Sequence, residues 1–207
     1  GSNNGLYRKS SNSETYKRYD LSKLEGADAS SNEITRIFES PKQGLWLLTN
    51  NGLFLYKYDS DKIERHGYDK AKGDIFLTQD INSFYEDSSG TAWVGTWQGG
   101  LSKYSVEERK IKTYSWNEGL PSMSIQGILG DEKNNTLWLS TFDGLCKFNR
   151  ETGQTNTYSI ADGIQSQLFA DGSYLKTRNG FFIFGGANGI TLFNPDNINK
   201  GSLPPRV

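Results

Sequence analysis

The chain has 207 residues, of which 23 are Lys or Arg and 24 are Asp or Glu. These charges nearly cancel and form no long block of one sign, which excludes the basic surface of a protein that binds nucleic acid or lies on a membrane. Aromatic residues make up 13% of the chain and 23 residues are glycine, while long segments with helical hydrophobic spacing are absent. This composition favours many short strands joined by tight turns.

The cysteine and hydropathy patterns exclude several other classes. One cysteine, Cys146, cannot form a disulfide within the chain, and no Cys and His cluster has the spacing of a zinc site. Cys146 is therefore expected to be a small buried apolar residue. No stretch approaches 18 continuous apolar residues and no signal segment is recognised, so neither a membrane span nor a leader is expected in these residues.

A segment with a central tryptophan repeats along the chain. Trp46, Trp93 and Trp138 lie in GLWLLT, TAWVGT and TLWLST, 47 and 45 residues apart, and Phe182 continues the series after 44 residues. A glycine followed by an apolar residue opens another short strand after each segment, at Gly52, Gly100, Gly144 and Gly189. This period is typical of β-propeller blades and not of helical solenoids.

Four strands are predicted in each repeat. The first strands lie at 34–38, 81–85 and 125–129, and the second strands contain the repeated tryptophans. The third strands pass through Tyr56, Tyr104 and Phe148, and the fourth are polar, as at 110–114. Blades require apolar inner strands, packed between neighbours, and a polar outer strand that faces water. The predicted fold class is therefore all-β, a β-propeller with about four four-stranded blades.

The predicted boundaries follow from the repeat. They are a part-blade at 1–20, blades at 33–78, 79–123 and 124–166, a partial last blade at 167–198 and a linker at 199–207. The part-blade has only third and fourth strands, at 5–7 and 14–19, and the last blade stops after its third strand. A closed ring would need the strand at 14–19 to complete the last blade. We favour the alternative, in which the chain is a sector of a larger ring.

The repeat around Trp93 resembles a known family. Residues 81–104 have the pattern I-x-x-F, then D-x-x-G-x-x-W-V-G-T, then G-G-L-x-K-Y, which is similar to the two-component regulator propeller repeat. The segment at 185–198, with Pro-Pro-Arg-Val at 204–207, resembles the join between the last blade and the Ig-like β-sandwich of these proteins. Leu48 and Ser140 replace the glycine of W-x-G-T in two repeats, which weakens transfer of individual positions.

The resemblance implies a place in a larger protein. Members of the family are membrane-spanning hybrid two-component sensors of gut bacteria, and many sense oligosaccharides. Their periplasmic part has two seven-bladed propellers and a β-sandwich, followed by a membrane span and by histidine kinase, receiver and DNA-binding regions. This chain would then be the C-terminal part of the second propeller, in the periplasm. Its partners in the same chain would be the following β-sandwich and the other propeller, and it would contain no kinase.

One rim of the blades is the candidate ligand site. Propellers place the turns between second and third strands, and the connections between blades, on the same rim. Aromatic rings beside amides and carboxylates can stack on a sugar and hydrogen-bond its hydroxyl groups. The candidate ligand-binding residues are Asn50, Asn51, Trp97, Gln98, Trp116, Asn117, Phe142, Asp143 and Asn188. Trp97 and Trp116 are the first candidates for contact with a sugar. The alternative to sugar binding is that they only cover a neighbouring blade or fill a domain interface.

Catalytic chemistry has weaker support. Residues 86–93 resemble the Asp-box hairpin of sialidase propellers, but that box is structural, and the arginines do not recur where such an enzyme would need them. Glu107 and Glu108 are expected on an outer turn as a solvated pair, not as a facing acid and base. His66, the single histidine, is predicted to be a surface residue on an outer strand and supports neither a triad nor a metal set. No catalytic residue, metal or cofactor is expected.

Three functions are compatible with the sequence. The leading hypothesis is a non-enzymatic periplasmic sensor segment in which an oligosaccharide shifts the following β-sandwich. The second is a structural module that scaffolds a dimer while other blades bind the ligand, and the third is a sialidase-like glycosidase propeller. Apolar faces on the terminal blades also predict a homodimer that covers them. No nucleic-acid partner is expected, and the membrane is reached only through the parent protein.

Overall fold

The secondary structure consists of β-strands and 3-10 helices of three or four residues. A computed structural model of the protein describes residues 3–11 and 14–198. These residues form two compact units, one that extends to Ile81 and includes Ser105–Ile111, and one with Asn82–Tyr104 and the residues from Lys112 onward. The predicted linker at 199–207 lies outside the described residues.

The first unit contains a two-stranded sheet and a four-stranded blade. The small sheet pairs β1 (Leu6–Arg8) with β2 (Lys17–Tyr19) in antiparallel register. The blade joins, in chain order, β3 (Ile34–Ser40), β4 (Gly44–Thr49), β5 (Gly52–Lys57) and β6 (Lys62–His66). A short hairpin of β7 (Tyr68–Asp69) and β8 (Asp74–Ile75) follows the blade and is not predicted by the repeat.

Three further sheets follow in the same meander order. The first has the strands β9 (Ile81–Glu86), β10 (Thr91–Thr96), β11 (Leu101–Ser105) and β12 (Lys110–Tyr114). The next has β13 (Ile125–Asp131), β14 (Thr136–Thr141), β15 (Gly144–Asn149) and β16 (Thr155–Tyr158). The last has three strands within the described residues, β17 (Phe169–Lys176), β18 (Phe182–Gly186) and β19 (Gly189–Phe193). The predicted fold class, an all-β chain of propeller blades, is confirmed.

The repeated tryptophans lie in the hydrophobic core, as predicted. Trp46, Trp93 and Trp138 are all buried. Trp93 belongs to a cluster that joins the sheet of β9–β12 to the sheet of β13–β16, and it packs edge-on against Phe148. Trp138 belongs to the next cluster, which joins β13–β16 to β17–β19, and it contacts Phe193. Because neighbouring sheets share each cluster, the blades of the second unit stabilise one another.

The glycine that opens a third strand is required by a close backbone approach. Gly144 has φ 94°, and a Cβ atom there would lie 2.4 Å from the carbonyl oxygen of Tyr158 on the outer strand β16. Its N–H also donates to the carbonyl of Gln167, at 2.9 Å, in the segment that leads to the next blade. Gly100 has both features. A Cβ atom there would lie 2.2 Å from the carbonyl oxygen of Tyr114, and its N–H donates to the carbonyl of Met123 at 2.8 Å.

Replacing Gly144 by alanine is expected to lower the free energy of unfolding by about 2 kcal/mol, from left-handed strain plus the clash with Tyr158. Gly180 is a matched control, because its φ is 82° but no atom lies within 4 Å of its Cβ position. Gly180→Ala is expected to cost only the conformational part, about 1 kcal/mol. Urea unfolding followed by tryptophan fluorescence measures both variants, and equal losses would contradict the close-approach explanation.

The turn between β9 and β10 is held by the carboxylate of Asp87. It accepts a hydrogen bond from Nε1 of the core residue Trp93 at 3.0 Å. It also accepts the backbone N–H groups of Ser89 at 3.0 Å and Thr91 at 3.1 Å. These contacts tie the turn to the core beneath it, which is a structural role.

A buried arginine links this turn to the next blade. Arg150, whose side chain is only 8% exposed, donates to Asp87 Oδ2 at 3.3 Å and to both carboxylate oxygens of Glu132 at 3.0 and 3.2 Å. Tyr85 and Ser88 of the preceding sheet also donate to Glu132. Burial acts to raise the pKa of Glu132, but the bonds from Tyr85, Arg150 and Ser88 together hold that pKa below its ordinary value.

Candidate functional site

Two partly exposed aromatic rings meet on adjacent turns of the second unit. Trp97 lies in the turn between β10 and β11, and Phe142 lies in the turn between β14 and β15. Their rings form an edge-to-face pair with centroids 5.1 Å apart, an arrangement that aromatic quadrupoles favour. Trp97 is 41% exposed and Phe142 is 37% exposed, so the pair is accessible to a ligand. We call Trp97 and Phe142 the rim pair.

Hydrogen bonds fix both turns that carry the rim pair. The hydroxyl of Thr96 donates to the carbonyl of Gly100 at 3.1 Å, and that of Thr141 donates to the carbonyl of Gly144 at 2.8 Å. The backbone N–H of Gln98 donates to Ser124 Oγ at 3.2 Å, and Gln98 has a left-handed φ of 60°. Together with the bonds from Gly100 and Gly144 to the connecting segments, these contacts preorganise the rim pair.

Polar groups lie beside the rim pair. Gln98 and Asp143 directly follow Trp97 and Phe142, and both are exposed. Asp143 Oδ1 accepts from the side-chain amide of Gln167 at 3.4 Å. Gln167 is absent from the sequence candidates, because the connecting segment before β17 has no repeated aromatic that would have singled it out. Gln167 lies two residues before β17, just as Met123 lies two residues before β13. This shared spacing is the sequence signal that could have identified Gln167.

The remaining candidates of the second unit are Trp116, Asn117 and Asn188. Trp116 and Asn117 are exposed residues of a 3-10 helix, Trp116–Glu118, which follows the outer strand β12. Gly119, which caps this helix, accepts a hydrogen bond from Thr155 Oγ1 at the start of the outer strand β16. Asn188 is exposed in the turn between β18 and β19, and its N–H donates to Gln165 Oε1 at 3.1 Å. The ring contact therefore distinguishes Trp97 from Trp116.

The two candidates of the first unit are engaged in local contacts. The side-chain amide of Asn50 donates to the carboxylate of Glu33. The carbonyl and the side-chain oxygen of Asn51 both accept from Arg65, at 2.9 and 3.0 Å. These bonds give both asparagines a role in holding the turn between β4 and β5.

The prediction that His66 is a surface residue is wrong. His66 does lie on the outer strand β6, but its side chain is 2% exposed and packs edge-on against Trp46 with ring centroids 5.2 Å apart. As the last residue of β6 it pairs with Leu53 and faces the blade interior. Burial, and then the positive charges of Arg109 and Lys57, lower the pKa of His66 to about 3.

Two observations concern the cysteine and possible metal ligands. Cys146 is buried, as predicted, and burial raises the pKa of its thiol to about 12, so the reactive thiolate is disfavoured. Among residues 3–11 and 14–198, no group of three or more His, Cys, Asp or Glu side chains is arranged to hold a metal ion.

Comparison with known proteins matches one repeat of the chain to a family model. Residues 75–98, which run from β8 to the turn that carries Trp97, match the model of the two component regulator propeller. The chain therefore carries a two-component regulator propeller repeat, and the resemblance seen in the sequence is confirmed.

The individual relatives are larger signalling proteins. Histidine kinase P4 from Formosa agariphila is 30% identical over 179 residues, which is 86% of this chain and 13% of that protein. Two structures of the extracellular domain of BT4673 from B. thetaiotaomicron, described as a one component or hybrid two component system, are 22% identical. Their TM-scores are 0.74 and 0.72, over 96% and 97% of this chain and 28% and 29% of theirs.

A third solved structure has the same fold. The extracellular domain of BT3049 from B. thetaiotaomicron, a proposed hybrid two component system, has a TM-score of 0.61 and 22% identity over 87% of this chain and 30% of its own. The chain thus spans less than a third of each of these relatives. In the part of the chain that the structure describes, no helix is long and apolar enough to cross a membrane.

Proposed function

We propose that this chain is a ligand-sensing propeller segment of a hybrid two-component sensor, located outside the cytoplasm, and that its ligand is an oligosaccharide. The regulator propeller repeat and the larger histidine kinase relative support the sensor role. In the parent protein, ligand binding would shift a following β-sandwich between two arrangements and so change the activity of a kinase. The size of this shift is set by the difference in the ligand's affinity for the two arrangements. The segment itself binds and performs no reaction.

The observation that carries the ligand class is the rim pair. Accessible aromatic rings offer a face or an edge to the C–H groups of a sugar, which has both apolar faces and many hydroxyl groups. Gln98, Asp143 and Gln167 place amide and carboxylate groups next to Trp97 and Phe142, where they can accept and donate hydrogen bonds to those hydroxyls. Because both turns are held by hydrogen bonds, little conformational entropy is lost when the ligand binds.

Titration with neutral tetrasaccharides tests this proposal. Maltotetraose, cellotetraose and xylotetraose would be added to the protein, and binding followed by isothermal calorimetry and tryptophan fluorescence. We expect at least one to bind, and Trp97→Ala or Phe142→Ala to weaken it by about tenfold, since each removes one ring of the stacking surface.

A matched control comes from the first unit. Tyr58 is an exposed ring that also packs edge-on against a neighbour, Tyr56, at 5.8 Å, but it lies in the turn between β5 and β6. Tyr58→Ala is expected to leave the affinity unchanged. Trp116→Ala tests the other leading sequence candidate separately. Binding that is insensitive to Trp97→Ala, Phe142→Ala and Trp116→Ala would contradict a rim site in this chain.

A further inference from the structure

The chain segments next to the rim pair contain almost no charged residues. The surrounding segments are the turns at 96–100, 141–145 and 186–190 and the stretches that lead into the next inner strands, 122–126 and 165–170. Although 23% of the chain is charged, these segments contain a single charged residue, Asp143, and no lysine or arginine. These segments therefore contribute one carboxylate and no cation, and the connections between the same blades add only the acidic residues Glu118 and Asp162.

Several charged groups of the same blades meet at their other end. The turns between β9 and β10 and between β13 and β14 lie at the opposite ends of β10 and β14 from the rim turns. They carry Asp87 and Glu132, with Arg150 between them, and Lys133, which pairs with Asp196 at 2.8 Å. The lack of Lys and Arg in the rim segments is thus a local property, because the same blades carry both at their other end.

No Lys or Arg side chain of the rim segments is available to neutralise a carboxylate on a ligand. An ionised group that leaves water requires a cation or several hydrogen-bond donors, and Arg is the residue that usually supplies them. Here the nearest fixed charge in the rim segments is Asp143, which is exposed and follows Phe142 directly. Its carboxylate would repel a second one at close range.

We infer that the rim pair and the adjoining segments, which lack Lys and Arg, select neutral oligosaccharides and discriminate against chains of uronic acids, with Asp143 as the residue that strengthens the discrimination. This inference rests on the proposed function and specifies the ligand class of the same site. Neutral hydroxyl groups match the amides of Gln98 and Gln167, whereas each uronate carboxylate adds a charge that the rim leaves unpaired.

The test compares tetragalacturonate with the neutral tetrasaccharides that bind, at pH 7 and low ionic strength. We expect tetragalacturonate to bind at least about fivefold more weakly, and Asp143→Asn to raise the ratio of tetragalacturonate affinity to neutral-tetrasaccharide affinity by about threefold. Added salt at 0.5 M should reduce the difference in affinity between tetragalacturonate and the neutral tetrasaccharides, because it screens exposed charges.

Glu151→Gln is the matched control. It removes one negative charge from the same blade, but Glu151 is an exposed residue in the turn between β15 and β16, at the opposite end from Asp143. It should leave tetragalacturonate binding unchanged, so an equal gain in both variants would indicate a net-charge effect and overturn the role of Asp143. Tetragalacturonate binding as tight as the neutral ligands, with loss in Trp97→Ala, would overturn the inference but leave the rim site. If no saccharide binds, the proposed function fails as well.

Discussion

Replacing Arg150 by methionine is expected to lower the free energy of unfolding by about 3–5 kcal/mol, the usual cost of removing one partner of a buried ion pair. Methionine keeps much of the aliphatic volume of arginine, so the loss of stability measures mainly the removal of the guanidinium group. Without it, Asp87 and Glu132 lose the guanidinium that contacts both carboxylates, although Asp87 still accepts from Trp93. Urea unfolding followed by circular dichroism measures the change.

An exposed ion pair gives the control. Lys133 and Asp196 are 2.8 Å apart, but both side chains are exposed, so Lys133→Met is expected to cost far less stability than Arg150→Met. The double variant Arg150→Met with Glu132→Gln should recover part of the stability lost in Arg150→Met, because it removes a carboxylate that the guanidinium had neutralised. A loss below about 1 kcal/mol for Arg150→Met would show that the arginine does not join the two blades energetically.

The periodic features of this fold could be predicted from the sequence. The spacing of Trp46, Trp93 and Trp138 identifies a core position, because each repeat must bury an equivalent residue against its neighbour. The glycine at the start of each third strand is also readable from the sequence, and the structure adds the reason, the outer-strand carbonyl that leaves no room for a Cβ at Gly100 and Gly144. A physical requirement that recurs in every blade produces a periodic pattern of residues in the sequence.

Features that belong to one blade could not be predicted in this way. His66 lies on a polar outer strand, where alternation indicates exposure, but its position at the strand end turns the ring onto Trp46. Trp97 and Phe142 could be assigned to the same rim, whereas their contact depends on the distance between two turns that no sequence pattern reports. The β7–β8 hairpin is an insertion between blades and has no counterpart in the repeat.

His66 is expected to make the protein less stable as the pH falls from 7 to 5. Unfolded histidine has a pKa of about 6.5, whereas burial lowers the pKa of His66 in the folded protein to about 3. Between these values the unfolded chain binds a proton that the folded protein does not, so the stability is complete above pH 6.5 and is lost as the pH falls. By pH 5 the expected loss is about 2 kcal/mol.

The neighbours of His66 explain why the folded ring resists protonation. Glu64 Oε2 lies 4.0 Å from His66 Nε2, but Glu64 is already paired with Lys57 at 2.9 Å and Arg109 at 3.5 Å. These cations neutralise the carboxylate and repel a proton on the imidazole, and the ring is packed against Trp46 away from water. A protonated His66 would therefore be a poorly compensated buried charge.

Urea unfolding at pH 7, 6 and 5, with His66→Gln as the comparison, isolates this effect. His66 is the only histidine, and the carboxylates with lowered pKa values, such as Asp20 and Asp61, lose their stabilising contribution only below about pH 5. The His66→Gln variant is expected to start from a lower stability, because glutamine packs less well against Trp46, but to change by less than about 0.5 kcal/mol over the same range. Parallel pH dependences in the two proteins would mean that the imidazole is protonated in the folded state or that another group titrates.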